Sequence, residues 1–276
     1  MSSPLSPSIP VITARLRAAG CVFAEDEARL FVSAARTPAD LVAMVDRRVG
    51  GLPVEHVVGW AEFCGLRVAV DPGVFVPRRR TEFLVRQAAA LTRPKAVVVD
   101  LCCGTGAVGA ALIARLDRIE LHAADIDPAA VRCARRNLGP ARGHVYEGDL
   151  DEPLPATLRG RVDVLVASAP YVPTQDIGLL PAEARVHEPR VSLDGGVDGL
   201  DVVRRVIAVA PRWLVPGGHL LVEMSERQAP QAARVVARAG LIPRVARSSE
   251  LDATVVVGAR PVDSGRQPQA AGGRDR

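Results

Sequence analysis

From Lys95 onward the chain alternates short, wholly apolar runs with longer segments whose apolar residues recur every three or four positions. A run such as "AVVVDL" has no polar face, as expected of a parallel strand covered on both sides. The intervening segments show the spacing of amphipathic helices. This rhythm predicts strands at 96–101, 119–124, 143–147, 162–167, 218–224, 241–247 and 253–259, and helices at 107–116, 128–138, 199–211 and 226–239. Repeated β-α alternation specifies the α/β class: a Rossmann-like, doubly wound, mostly parallel seven-stranded sheet with helices on both faces. Only "ARSSELDA" links the last two strands, which is too short for a crossover helix, so the last strand should run antiparallel.

The pattern before Lys95 differs. "TARLRAAG", "EDEARLFVSAA" and "TPADLVAMVDRRV" read as three short helices, with Thr37-Pro38 as a start signal and Gly50-Gly51 as a stop. Leu30, Phe31, Ala34 and Ala35 fall on one predicted helical face. Two β-like pieces follow, "AEFCG" and "LRVAVD", and then a loop that closes as a helix through "RRRTEFLVRQAAALT". The expected organisation is a helical unit at 1–51, a linker with a hairpin and helix at 52–94, a ligand-binding domain at 95–260, and a polar, disordered tail at 261–276.

Composition narrows the classes. Hydrophobic residues make up 48% of the 276, enough for a packed core, and no apolar run reaches the length of a membrane span. The five cysteines show no C-x-x-C spacing, and the five histidines are scattered, so neither a disulfide framework nor a metal site is expected. Together with the absence of a secretory leader pattern, this points to the cytoplasm. The net charge of +4 carries little weight, because Lys95 is the only lysine and arginine fills nearly every basic position.

Candidate chemistry begins at "VVVDLCCGTGAVGAALIA". Asp100 ends a strand, and Gly104-Thr105-Gly106 precede a helix, where glycines permit a tight turn and close approach to a ligand. Gly104, Gly106 and Gly109 also satisfy G-x-G-x-x-G, with Asp125 about 20 residues on, so a nicotinamide enzyme is a competing reading. An acid four residues before the first glycine would repel a pyrophosphate. It suits the ammonium and sulfonium of S-adenosylmethionine, and the antiparallel final strand also departs from a dinucleotide fold. On this reading Asp125 accepts from the ribose hydroxyls. Asp149 and Leu150 flank the adenine, Phe75 lines the site, and Cys102 and Cys103 fill the loop.

The stretch "VDVLVASAPYVPT" ends the fourth strand of the alternating region on Ser168-Ala169-Pro170-Tyr171, at the carboxyl edge where such sheets bind ligands. Here the sequence resembles the release-factor glutamine-N5 methyltransferases and the wider amino-methyltransferase group marked by N-P-P-Y. "PVEHVVGWAEFCGLRVAVDPGVFVPRRRTEFLV", "HEPRVSLDGGVDGLDVVRRVI" and "LVPGGHLLVEMSERQ" extend the resemblance from Leu52 to Arg260. It implies a class I methyltransferase fold, S-adenosylmethionine as cofactor, a substrate-facing N-terminal domain, and a protein glutamine, such as that of a release factor, as acceptor. It also implies that Ser168, Ala169, Pro170 and Tyr171 form the catalytic corner, with Ser168 touching the cofactor as well. Glu188 and Glu223 match family acids and read as structural.

Two departures stand out. Ser168 replaces the asparagine, and a hydroxyl lacks a carboxamide's reach and two-group grip. Arg79 and Arg80 replace the family's P-E, which either favours an anionic acceptor segment or leaves both arginines in solvent. Two alternatives remain open on sequence alone: a methyltransferase acting on a nucleic-acid exocyclic amine, and a cofactor-binding homologue with little turnover. The N-terminal helices show neither a basic stripe nor aromatic platforms, which disfavours nucleic acid as a direct substrate.

Overall fold

A computed structural model describes residues 8–139 and 142–262. The tail expected to be disordered therefore lies, from residue 263 on, outside the described residues. The chain opens with helices α1 (Ile9–Ala18), α2 (Ala24–Ala34), α3 (Pro38–Val49) and the short α4 (Val54–Val58). Thr37 caps α3 by accepting from the Asp40 amide at 3.1 Å, with Pro38 in the first turn. These helices share a core of Ile12, Leu16, Phe31, Leu41, Met44 and Val45.

The inner face of α2 differs from the expected one. It buries Ala24, Glu27, Ala28 and Phe31, while Leu30 is only half-buried. Glu27 can turn inward because Arg48 of α3 meets both its oxygens, at 2.7 and 3.0 Å. A buried charge is tolerated only when paired in this way.

A hairpin of β1 (Trp60–Phe63) and β2 (Leu66–Ala69) leads to α5 (Glu82–Leu91). The remaining elements are β3 (Val97–Leu101), α6 (Ala107–Arg115), β4 (Glu120–Asp125), α7 (Pro128–Leu138), β5 (Gly143–Glu147), β6 (Val162–Ala167), α8 (Ala182–His187), α9 (Asp201–Trp213), β7 (Leu214–Met224), α10 (Ala229–Arg238), β8 (Ile242–Ser248) and β9 (Ala253–Ala259). The seven-stranded sheet runs β5-β4-β3-β6-β7-β9-β8. β9 is antiparallel to both β7 and β8, as the short connection requires. Every residue of β3 is buried, which explains its unbroken apolar run.

Strand order reverses between β3 and β6, which pair in parallel, Leu101 opposite Ala167. The carboxyl ends there form the crevice in which open α/β sheets bind ligands. On one face of the sheet, α9 buries Val203, Val206, Ile207, Ala210 and Trp213. It runs two residues past its expected end despite Pro211, because Trp213 is locked by an indole hydrogen bond to Asp151 at 2.9 Å. Among the described residues no helix is long and apolar enough to cross a membrane.

Candidate active site

The loop after β3 is laid across the end of β4 by backbone hydrogen bonds. Cys103 donates to the Ala124 carbonyl at 3.1 Å, and Gly104 donates to Asp125 Oδ2 at 2.7 Å. Asp125 Oδ1 accepts from the Asp127 amide at 2.9 Å. Asp125 thus fixes the loop and its own strand end together. Burial raises its pKa, while the backbone donors hold it down.

Asp100 is buried beneath this loop. Its Oδ2 accepts from the Gly109 amide at 3.2 Å, and its Oδ1 is buried without a partner among the described residues. Burial lifts its pKa to about 7, against the pull of the Gly109 hydrogen bond, with the charge of Asp125 adding to the rise.

Two cavities open at the carboxyl edge. The first is bordered by Phe75, Cys102, Gly104, Asp125, Asp149 and Leu150, with Ile126, Val191 and Val202 as further apolar wall. Asp149 is held by Arg205 at 2.7 Å. Of the residues expected to bind cofactor, Asp100, Cys103, Thr105 and Gly106 do not border this cavity. Asp100, Cys103 and Thr105 are buried. Gly106 faces α7, where a side chain would fall 3.1 Å from the Ala134 Cβ. Sequence reasoning missed Ile126, which is half exposed beside Asp125. An exposed isoleucine next to a strand-end acid was the available signal.

The second cavity, of about 580 Å³, is bordered by Arg79, Arg80, Thr81, Ala169, Tyr171 and Glu223, and by Pro53 and Glu55 from the N-terminal side. Phe75, Ser168 and Pro170 border both cavities. The corner from 168 to 172 is clamped from behind by the glycine loop before α9. Val172 donates to the Leu193 carbonyl at 3.0 Å and accepts from Gly195 at 2.9 Å. A side chain on Gly195 would fall 2.7 Å from the Pro170 carbonyl oxygen, so only glycine allows this approach. The Gln228 side chain donates to the Tyr171 carbonyl at 2.8 Å.

Tyr171 turns its hydroxyl to Glu223 Oε1 at 3.3 Å. Burial, and then the Glu223 charge, push its pKa up. Arg80 does not simply point to solvent. Its Nε lies 3.5 Å from Glu223 Oε1, and its guanidinium stands 5.7 Å from the Tyr171 ring. Arg79 is exposed at the cavity rim. Glu188 braces the strap before α5, accepting from the Val76 amide at 3.1 Å and from Arg78 at 2.5 Å. That is the structural role its motif suggested.

The donor set of the first cavity fits S-adenosylmethionine. Asp100, buried beneath the loop and outside this lining, keeps one oxygen without a partner among the described residues. Asp125 retains lone pairs for a vicinal diol, and Ile126, Leu150 and Val202 offer apolar walls to a flat base. Nothing here calls for a pyrophosphate.

Comparison with known proteins agrees. Residues 65–194 match the methyltransferase small domain. A release factor glutamine methyltransferase of Geobacter sulfurreducens is 38% identical over 74% of this chain and 72% of its own length. That of Streptomyces coelicolor is 38% identical over 68% of each chain. Among solved structures, a methyltransferase from Pyrococcus furiosus aligns with a TM-score of 0.55 at 14% identity, covering 72% of this chain and 90% of that one. That likeness speaks to the fold alone. The protein is an S-adenosylmethionine-dependent methyltransferase and belongs to the release factor glutamine methyltransferase family.

Proposed function

We propose that this chain methylates the side-chain amide nitrogen of a glutamine in a protein substrate, with a peptide chain release factor as its partner. The observation that carries this reading is the wall of Phe75, Ser168 and Pro170 common to both cavities. A planar acceptor entering the larger cavity meets the donor across that wall, to which Ser192 also contributes. The names of the relatives support the choice of acceptor and partner.

When bound, S-adenosylmethionine supplies an electrophilic methyl on a cationic sulfur. The protein must make an amide nitrogen, whose lone pair is delocalised, into a competent nucleophile. Groups that accept its N–H bonds orient the nitrogen and favour its pyramidalisation as it attacks. Ala169 is buried, and no donor among the described residues takes its carbonyl, so that oxygen is free for one N–H. In this reading Ser168 takes the other, and the Tyr171 ring gives the flat amide a surface to lie against. The methylated nitrogen then releases a proton to water.

Pro53 and Glu55 border the acceptor cavity, which supports the 52–94 segment as part of the substrate-facing wall. The five free cysteines suit a reducing cytoplasm.

The test is methyl transfer from labelled cofactor to a purified release factor, followed by fragmentation mass spectrometry of the product. One methyl on a glutamine side-chain nitrogen is expected. Label confined to nucleic acid, or to a different side-chain atom, would overturn the assignment.

A further inference from the structure

The serine at the corner poses a chemical problem. An asparagine oxygen is always an acceptor, whereas a hydroxyl carries a proton of its own that can point at the acceptor amide and waste the contact. For Ser168 to act as a pure acceptor, its proton must be drawn elsewhere.

The neighbouring strand supplies a destination. β6 and β7 pair in parallel with Ala167 opposite Val222, so the next residues, Ser168 and Glu223, stand side by side at the carboxyl edge. Glu223 is only 2% exposed. Its Oε1 accepts from Tyr171 at 3.3 Å and faces Arg80 at 3.5 Å. Its Oε2 is buried and lacks a partner among the described residues. A buried carboxylate oxygen without a donor is costly to keep, so it has a use or a missing partner.

We propose that Glu223 is a positioning residue. By drawing the Ser168 hydroxyl proton onto its free oxygen, it leaves both Ser168 lone pairs facing the substrate amide, so that serine performs the acceptor role of a carboxamide. This deepens the glutamine reading and rests on it. Burial raises the Glu223 pKa, while the nearby Thr81 hydroxyl, Arg80, Tyr171 and the Ser168 hydroxyl oppose the rise. Neither hydroxyl completes a hydrogen bond to Oε2. The acceptor's arrival on the far side of Ser168 is what favours that rotation.

The test is a double-mutant cycle read by kcat on a glutamine peptide. In the native Ser168 background, Glu223→Gln supplies an amide that can itself donate to serine, and kcat should fall on the order of tenfold or more. Affinity for S-adenosylhomocysteine should be little changed, because Glu223 does not border the cofactor cavity. In a Ser168→Asn background the same change should cost less than about threefold, since asparagine needs no proton steering.

The native enzyme should also show an acid limb in kcat that Glu223→Gln removes, because only the ionised carboxylate is a pure acceptor. The charged and titratable groups facing it are Arg80 and Tyr171. Equal losses in both backgrounds would mark Glu223 as merely structural and overturn the inference, as would an unchanged kcat in Glu223→Gln. If the unsubstituted protein binds S-adenosylhomocysteine but methylates no glutamine peptide, the proposed function itself falls, and this inference falls with it.

Discussion

The two halves of the site are built on opposite plans. On the cofactor side, the carboxylates that end β3 and β4 are engaged by the backbone: Asp125 pins Gly104 and Asp127, and Asp100 receives Gly109. On the acceptor side, side chains hold one another: Tyr171 and Arg80 converge on Glu223, and Arg78 on Glu188. A backbone-fixed site tolerates little change in sequence without losing its shape. A site made of mutually held side chains can be rewritten one residue at a time. Of the departures from the family pattern, Arg79 and Arg80 fall in the second half, and Ser168 stands on the wall between the two.

This contrast can be broken most decisively at Asp125. Asp125→Ala removes two backbone hydrogen bonds to a carboxylate and the diol acceptor together. Hydrogen bonds to charged groups are each worth about 1.5–3 kcal/mol, so S-adenosylhomocysteine affinity should drop on the order of a hundredfold by calorimetry. Retention of native affinity would show that the strand end does not hold the nucleoside.

Asp100 offers a subtler probe. Its folded-state pKa of about 7 lies above the ordinary carboxylate value. Between about pH 4 and 7 the folded state therefore binds more protons than the unfolded chain, and stability falls as pH rises through that window. Asp100→Asn escapes this penalty. Its melting temperature should exceed that of the native protein by a few degrees at pH 8, and the gap should close at pH 4, while cofactor affinity suffers at both. A gap independent of pH would show that burial does not tax this carboxyl.

The smallest effect belongs to the rim. Arg79→Glu places an acid in the strap at an exposed position, beside the one where the family carries its own. It should shift kcat/KM from acidic toward basic acceptor peptides by about threefold at low salt and by less at high salt. Cofactor affinity should not move, which keeps the two halves distinct.

Legibility in the sequence follows the same division. The sheet, its order-defining alternation and the antiparallel hairpin were readable because each depends on local periodicity or on connection length. The short α4 and α8 were not, since their five and six residues give too few turns for a 3.6-residue pattern to show. The inward turn of Glu27 was hidden because its partner Arg48 lies 21 residues on, in a different helix. The convergence of Arg80 and Tyr171 on Glu223 was hidden for the same reason: it depends on which elements become neighbours. Asp100 and Asp125 were visible as strand-end acids, but their service to backbone amides was not, since no residue pattern records which N–H groups lack a partner.

Arg48 extends this logic beyond the site. Besides Glu27 it reaches the Leu52 carbonyl at 3.0 Å and Glu183 of α8 at 2.6 Å, and Glu183 borders the acceptor cavity. A single guanidinium therefore serves as the keystone between the leading helices and the larger cavity, the proposed seat of the substrate. Variation in residues that never meet a substrate can travel through that keystone to reshape what is admitted, while the donor's seat stays as it was.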